Sequence, residues 1–158
     1  MAIKQREKIV QLMLCAHVRR EYPDAIFNCD FAAGMKLTPG LARLRREMTS
    51  GRGYPDFTLD VKRGDFAGLR LELKKEGEVI YKKDGTVRKS DKDRLQIQHD
   101  TLERLRKEGY CAEFAIGLEQ ATGLVDWYMA GAKPGTLLLE RSSAGDIRFT
   151  NTESGEVF

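Results

Sequence analysis

The sequence predicts a mixed α/β protein: a central sheet covered by helices, followed by a β-rich C-terminal appendix. Three observations predict it. Residues 93–108 and 119–129 repeat apolar side chains at helical spacing. Residues 56–61 and 69–74 alternate apolar and polar side chains with period two, around a polar turn. Residues 131–158 hold two further strand-like runs and no helical pattern. A chain of 158 residues fits one domain with a sizeable core. The core is expected over about 5–130 and the extension over about 131–158.

In chain order, residues 4–21 read as an amphipathic helix with Ile9, Leu12, Met13 and Ala16 as its apolar stripe, ended by Pro23. Residues 25–31 read as a short strand and 32–40 as a loop. Residues 40–49 read as a basic helix with Leu41, Leu44 and Met48 on one face. Two strands follow, Asp56–Val61 and Leu69–Lys74, joined through Lys62-Arg63-Gly64-Asp65, where the glycine suits a turn. Residues 76–92 read as a small protruding hairpin around Asp84-Gly85. The helix over 93–108 places Leu95, Gln98, Leu102 and Leu105 on one stripe and stops at Gly109. Residues 110–116 are a buried strand. The helix over 119–129 turns Ala121, Leu124, Val125 and Tyr128 inward, with Gly123 an unfavourable residue inside it. Thr136–Leu139 and Ile147–Thr150 are the appendix strands, separated by Ser142-Ser143-Ala144-Gly145.

Charged residues make up 32% and hydrophobic residues 41%, as in a soluble globular protein. No apolar run approaches membrane-spanning length, and residues 1–20 lack a signal-peptide pattern. Cys15, Cys29 and Cys111 make neither a zinc spacing nor a disulfide framework, which predicts small buried hydrophobes in a reducing cytoplasm. His17 and His99 are isolated and read as helix-surface residues. No membrane partner and no small-molecule cofactor are expected.

The chemistry is concentrated in the paired strands. If the turn is centred on Gly64, residue 56 stands opposite residue 72, and opposite residues share a face. Glu72 and Lys74 share that face by parity. Asp56, Glu72 and Lys74 therefore converge, while Leu69, Leu71 and Leu73 point the other way. Facing carboxylates repel, so a strand pair that carries them calls for a cation between them. Oxygen ligands suit Mg²⁺ or Mn²⁺. Such an ion polarises a phosphoryl oxygen, and Lys74 offsets charge that develops there. Gln98 is a polar residue on a core-facing stripe, read either as a common amphipathic-edge glutamine or as one aimed at the same hairpin to position water or phosphate. Glu7 is a candidate further carboxylate.

Net charge is only +3, so a polyanion partner rests on where the charge lies. Lys36, Arg43, Arg45, Arg46 and Arg52 face a single acid, Glu47, between residues 35 and 53. Residues 74–94 hold eight Lys or Arg against five acids, with Lys75, Lys82, Lys83, Arg88 and Lys89 among them. Basic rims around an acidic centre suit a nuclease, the rim neutralising phosphates while the centre cuts one.

Glu7 in a first helix, Gly53-Tyr54-Pro55-Asp56, Glu72-Leu73-Lys74, Gln98 eleven residues before Gly109-Tyr110, and a helix with Ala121 and Tyr128 together resemble the VRR-NUC family. These are small PD-(D/E)XK nucleases, and the resemblance covers roughly residues 5–130. It implies a restriction-endonuclease-like core and structure-selective cleavage of DNA with Mg²⁺ or Mn²⁺. It makes Asp56, Glu72 and the backbone carbonyl of Leu73 the metal ligands, Lys74 the catalytic lysine, and Glu7 and Gln98 supporting residues. Stand-alone phage and bacterial members resemble Holliday-junction resolvases and act as homodimers, so a homodimer on branched DNA is expected. A nuclease for flaps or nicked duplexes and a non-cleaving DNA-binding module are the alternatives.

Overall fold

Four strands form one sheet in the order β1 (Phe27–Cys29), β2 (Phe57–Leu59), β3 (Leu69–Lys74) and β4 (Cys111–Ile116). The first three pair antiparallel, and β3 and β4 pair parallel. A parallel pair needs a crossover, which α3 (Arg94–Lys107) supplies. The remaining helices are α1 (Glu7–Glu21), α2 (Pro39–Glu47) and α4 (Gly117–Met129). A separate antiparallel pair, β5 (Leu137–Arg141) and β6 (Ile147–Asn151), forms the appendix. This computed structural model describes residues 7–30, 32, 35–142 and 146–158. Residues 4–6 of the expected first helix, Phe31 of the expected first strand, residues 33–34 of the loop and Ser143-Ala144-Gly145 of the last turn lie outside the described residues.

The turn-centred register is met: Phe57 pairs with Leu71, Thr58 with Arg70 and Leu59 with Leu69, which sets Asp56 opposite Glu72. The expected half-buried character is not. All of β2 and β3 is buried, polar residues included. β3 has a strand on each side, and helices cover both sheet faces. α1 and α4 pack on each other and on β3, while α3 packs on β3 and β4. Buried polar groups on such a strand need internal partners. Arg70 finds Asp60 at 2.8 Å and the Leu59 carbonyl at 3.3 Å, and its guanidinium lies 4.3 Å from the Tyr110 ring centroid.

The inward face of α1 is Val10, Gln11, Leu14, Cys15 and Val18, not the expected stripe. Ile9, Leu12 and Met13 are exposed at 43%, 63% and 44%. Both sets obey helical spacing, and the β-branched and leucine set around Val10 is the one that meets α4 and the sheet. The apolar face of α2 is likewise exposed, and no residue of that helix is buried. Thr38 caps it by accepting from the Leu41 N–H. The helical stripes of α3 and α4 stand as expected: Leu95, Gln98 and Leu102, and Ala121, Leu124, Val125 and Tyr128, are buried. Gly123 lacks a side chain because Phe158 packs there; a Cβ would meet its ring and Cβ at 2.8 Å.

The 76–92 segment is a hairpin, with Tyr81 bridged to Val87. It does not protrude from the core as expected. Ile80 and Tyr81 are buried, and the appendix holds its outer side: Arg141 stacks 4.0 Å from the Tyr81 ring centroid and donates to the Gly85 carbonyl. The histidines are fasteners rather than surface residues. His17 meets Asp126 at 2.7 Å, tying α1 to α4, and His99 meets the Tyr81 hydroxyl at 3.2 Å. All three cysteines are free, and the Cys15 and Cys29 thiols are hydrogen-bonded to each other. The single tryptophan, Trp127, packs against Phe66 in the β2–β3 turn, with ring centroids 6.4 Å apart. Among the described residues no helix is long and apolar enough to cross a membrane.

Candidate active site

Asp56 ends the loop before β2, and Glu72 and Lys74 lie on β3. All three are buried, Lys74 completely. Lys74 Nζ donates to Glu72 Oε1 at 2.8 Å. The Gln98 amide of α3 donates to the same oxygen. Glu72 Oε2 has no hydrogen-bond partner among the described residues. One oxygen of this carboxylate is thus doubly held, and the other is left open. Asp56 Oδ2 accepts the Leu73 N–H at 3.0 Å. A strand residue points its N–H and C=O to the same side, so the Leu73 carbonyl opens toward Asp56 as well.

Electrostatics set these carboxyls apart. Burial raises Glu72 to about 8, and the negative field of Asp56 adds to it against the pull of Lys74. Burial also raises Asp56 to about 6, opposed by Lys74 and the Leu73 N–H and assisted by the charge of Glu7. Two facing acids that resist ionisation are a pair a cation would relieve. The donor set fits a hard ion: two carboxylates, one with a buried, unpartnered oxygen, and a backbone carbonyl on the same side. Among the described residues no cluster of three or more His, Cys, Asp or Glu stands ready around an ion. Mg²⁺ does not demand one, since it is commonly held by one or two carboxylates and completes its shell with water.

Glu7 sits in the first turn of α1, and its charge acts on both Asp56 and Glu72. The basic residues flank this centre to different degrees. Arg45 pairs with Asp30, whose N–H donates to the Asp56 carbonyl at 2.7 Å, so α2 is tethered beside the site. Arg43 pairs with Glu47 at 2.8 Å, and Arg46 is exposed. Arg52 donates to the Lys92 carbonyl at the entrance to α3. Lys75, Lys82, Lys83, Arg88 and Lys89 are exposed. Gly53 joins loop to helix. Its φ is +85°, and a Cβ there would meet Ile97 Cγ2 at 2.9 Å. Only glycine lets the chain before Asp56 lie this close to the helix that carries Gln98.

Two buried or half-buried polar residues, Asp30 beside the centre and Gln11 on α1, escaped the sequence reading. Asp30 precedes a loop and carries no pattern. Gln11 lies four residues after Glu7, on the same helix face, and that spacing was the available signal.

A mixed sheet that presents Asp56, Glu72 and Lys74 on one face of an antiparallel hairpin, with helices on both sides, is a restriction-endonuclease-like fold. No protein-family model and no curated protein matches the chain. A solved structure described as a VRR_NUC domain protein does match: the TM-score is 0.59 and the identity 26%, covering 83% of this chain and 94% of that one. The resemblance read in the sequence is therefore met in the fold.

Proposed function

We propose that this chain is a VRR-NUC nuclease that hydrolyses phosphodiesters of branched DNA with Mg²⁺ or Mn²⁺. The observation that carries this reading is the buried, facing Asp56–Glu72 pair with Lys74 bound to it. A pair so costly to ionise has no purpose in a silent fold, which argues against the non-cleaving module. The likeness to a VRR_NUC domain protein supports the reading from a second direction.

Asp56, Glu72 and the Leu73 carbonyl would hold the ion, with Glu7 as a further acid at its edge. When bound, the ion polarises the phosphate and acidifies water. Gln98 and Lys74 fix Glu72 Oε1, which would leave Oε2 available to a bound ion. The Lys74 ammonium offsets negative charge that develops on the phosphate. Arg43, Arg45, Arg46 and Arg52 on one flank, and Lys75, Lys82, Lys83, Arg88 and Lys89 on the other, grip neighbouring phosphates. A four-way junction has two symmetry-related strands, and a twofold homodimer supplies two matching sites. The setting is the cytoplasm.

The test is a cleavage panel: labelled four-way junction, flap, nicked duplex, plain duplex and single strand, each with Mg²⁺, Mn²⁺, Ca²⁺ or EDTA, with light scattering on the same samples. Junction cleavage by a dimer in Mg²⁺ or Mn²⁺, abolished by EDTA, is expected. Ca²⁺ should support binding with little turnover, since its looser geometry positions water poorly. A monomer that prefers flaps moves the substrate to the alternative. Binding without cleavage under every condition returns the non-cleaving module.

A further inference from the structure

Gln11 is 3% exposed, and among the described residues neither its amide nitrogen nor its amide oxygen has a hydrogen-bond partner. Leaving a buried polar group unsatisfied costs roughly 1–3 kcal/mol. A helix that needed only to pack would carry Leu or Met at this position. Five buried side-chain atoms among the described residues lack partners, and four of them belong to Gln11, Glu72 and Gln98. These residues come from three elements, α1, β3 and α3.

The position of Gln11 follows from its neighbours on α1. One turn earlier, Glu7 acts on Asp56 and Glu72. One turn later, Cys15 meets Cys29, which adjoins Asp30 and its hydrogen bond to Asp56. Residues four apart share a helix face. Gln11 thus lies between two residues whose interactions both lead to the carboxylate pair. Both ends of its amide are open. A phosphate oxygen would satisfy only the donor end, whereas water satisfies donor and acceptor together.

We propose that Gln11 is a positioning residue that holds a water molecule beside Asp56 and Glu72 for attack on the phosphodiester. The inference rests on the nuclease reading above. In the hydrolysis, the water oxygen bonds to phosphorus as the bond from phosphorus to one sugar oxygen breaks. One water proton ends on the departing sugar oxygen, and the other leaves to solvent from the new phosphate monoester.

The experiment compares Gln11→Leu, Gln11→Glu and Asp56→Asn with the unaltered chain. Urea unfolding in EDTA, the Mn²⁺-induced rise in Tm at pH 8, and kcat and KM on the DNA cleaved best are measured. Gln11→Leu keeps the shape and removes two orphaned polar atoms, so its urea midpoint in EDTA should not fall. Its kcat should drop about 10- to 100-fold, as for a misplaced reactant, with KM within about twofold. Gln11→Glu adds another acid beside the pair and Glu7, so Mn²⁺ should raise its Tm by more than it raises the Tm of the unaltered chain. An amide remote from the site would not move that readout. A lowered Gln11→Leu midpoint, unchanged kcat, or an unchanged Mn²⁺ response in Gln11→Glu overturns the assignment. If Asp56→Asn loses cleavage while Gln11→Leu does not, only this inference fails. If the unaltered chain cleaves none of the DNAs, the nuclease reading fails and takes this inference with it; if Asp56→Asn keeps both cleavage and the Mn²⁺ response, the site does not lie at Asp56 and the inference fails.

Discussion

Replacing Glu72 with glutamine should flatten the pH dependence of the metal-free protein's stability. The folded-state carboxyl is raised to about 8 from an ordinary 4.5. Between those values the unfolded chain has released this proton and the folded chain still holds it. Stability from this group is therefore complete below pH 4.5 and lost as pH rises, until the folded-state value is passed. The slope for one proton is about 1.4 kcal/mol per pH unit, so pH 5 to pH 7 removes on the order of 3 kcal/mol. That is a large part of a total stability of about 5–15 kcal/mol. Asp56 adds the same sign of loss in a lower window, from 3.8 to about 6. Glutamine has the shape of the protonated glutamate and no proton to release, and its amide oxygen still accepts from Lys74. Urea unfolding in EDTA, followed by circular dichroism at pH 5, 6, 7 and 8, measures the effect. The difference between the two proteins isolates Glu72 from other titrating groups. It should grow in favour of Glu72→Gln by roughly 1 kcal/mol per pH unit. Parallel curves for the two proteins would refute the reasoning.

Other outcomes follow from the same geometry. Asp56→Asn and Lys74→Ala should each abolish most cleavage while leaving much of the DNA affinity, read by gel shift beside the cleavage assay. Removing Arg43, Arg45 and Arg46 together should flatten the salt dependence of DNA binding, by roughly one unit of log–log slope for each phosphate no longer gripped. Arg43 and Arg45 already have intramolecular acid partners, so Arg46→Ala alone should account for most of that change. An unchanged slope in the triple variant would show that α2 does not touch DNA. Gly53→Ala should destabilise by about 1–3 kcal/mol through its left-handed backbone, and the clash with Ile97 should lower kcat by displacing Gln98 from Glu72. A variant with native Tm and native kcat would contradict that coupling.

Much of this arrangement was legible because it depends on parity. A two-residue period and a turn centre are enough to set Asp56 opposite Glu72, and the β2–β3 register follows them. The core faces of α3 and α4 were legible because only one apolar stripe fits each helix. On α1, two interleaved sets satisfy helical spacing, and periodicity does not say which one meets a neighbour. On α2 the apolar face exists, but nothing in the described fold covers it. The burial of Arg70, Glu72 and Lys74 was hidden for a related reason. Alternation shows that a strand has two chemically distinct faces, but a charged face waiting for solvent reads the same as one waiting for a helix. Gln11 and Asp30 were missed because their significance lies in what surrounds them, which is known only once α1 and β1 are placed.

Trp127 gives the protein a built-in optical reporter. It is the only indole in the chain, and it rests on Phe66 in the turn at the far end of the hairpin from Asp56. The three residues of β2 lie between Asp56 and the approach to that turn, a span of roughly 10 Å at about 3.3 Å per residue. Its emission should therefore follow the loosening of α4 from the sheet, and stay nearly unquenched when paramagnetic Mn²⁺ is added to the folded protein. Unfolding can then be followed by this emission without interference from the added ion.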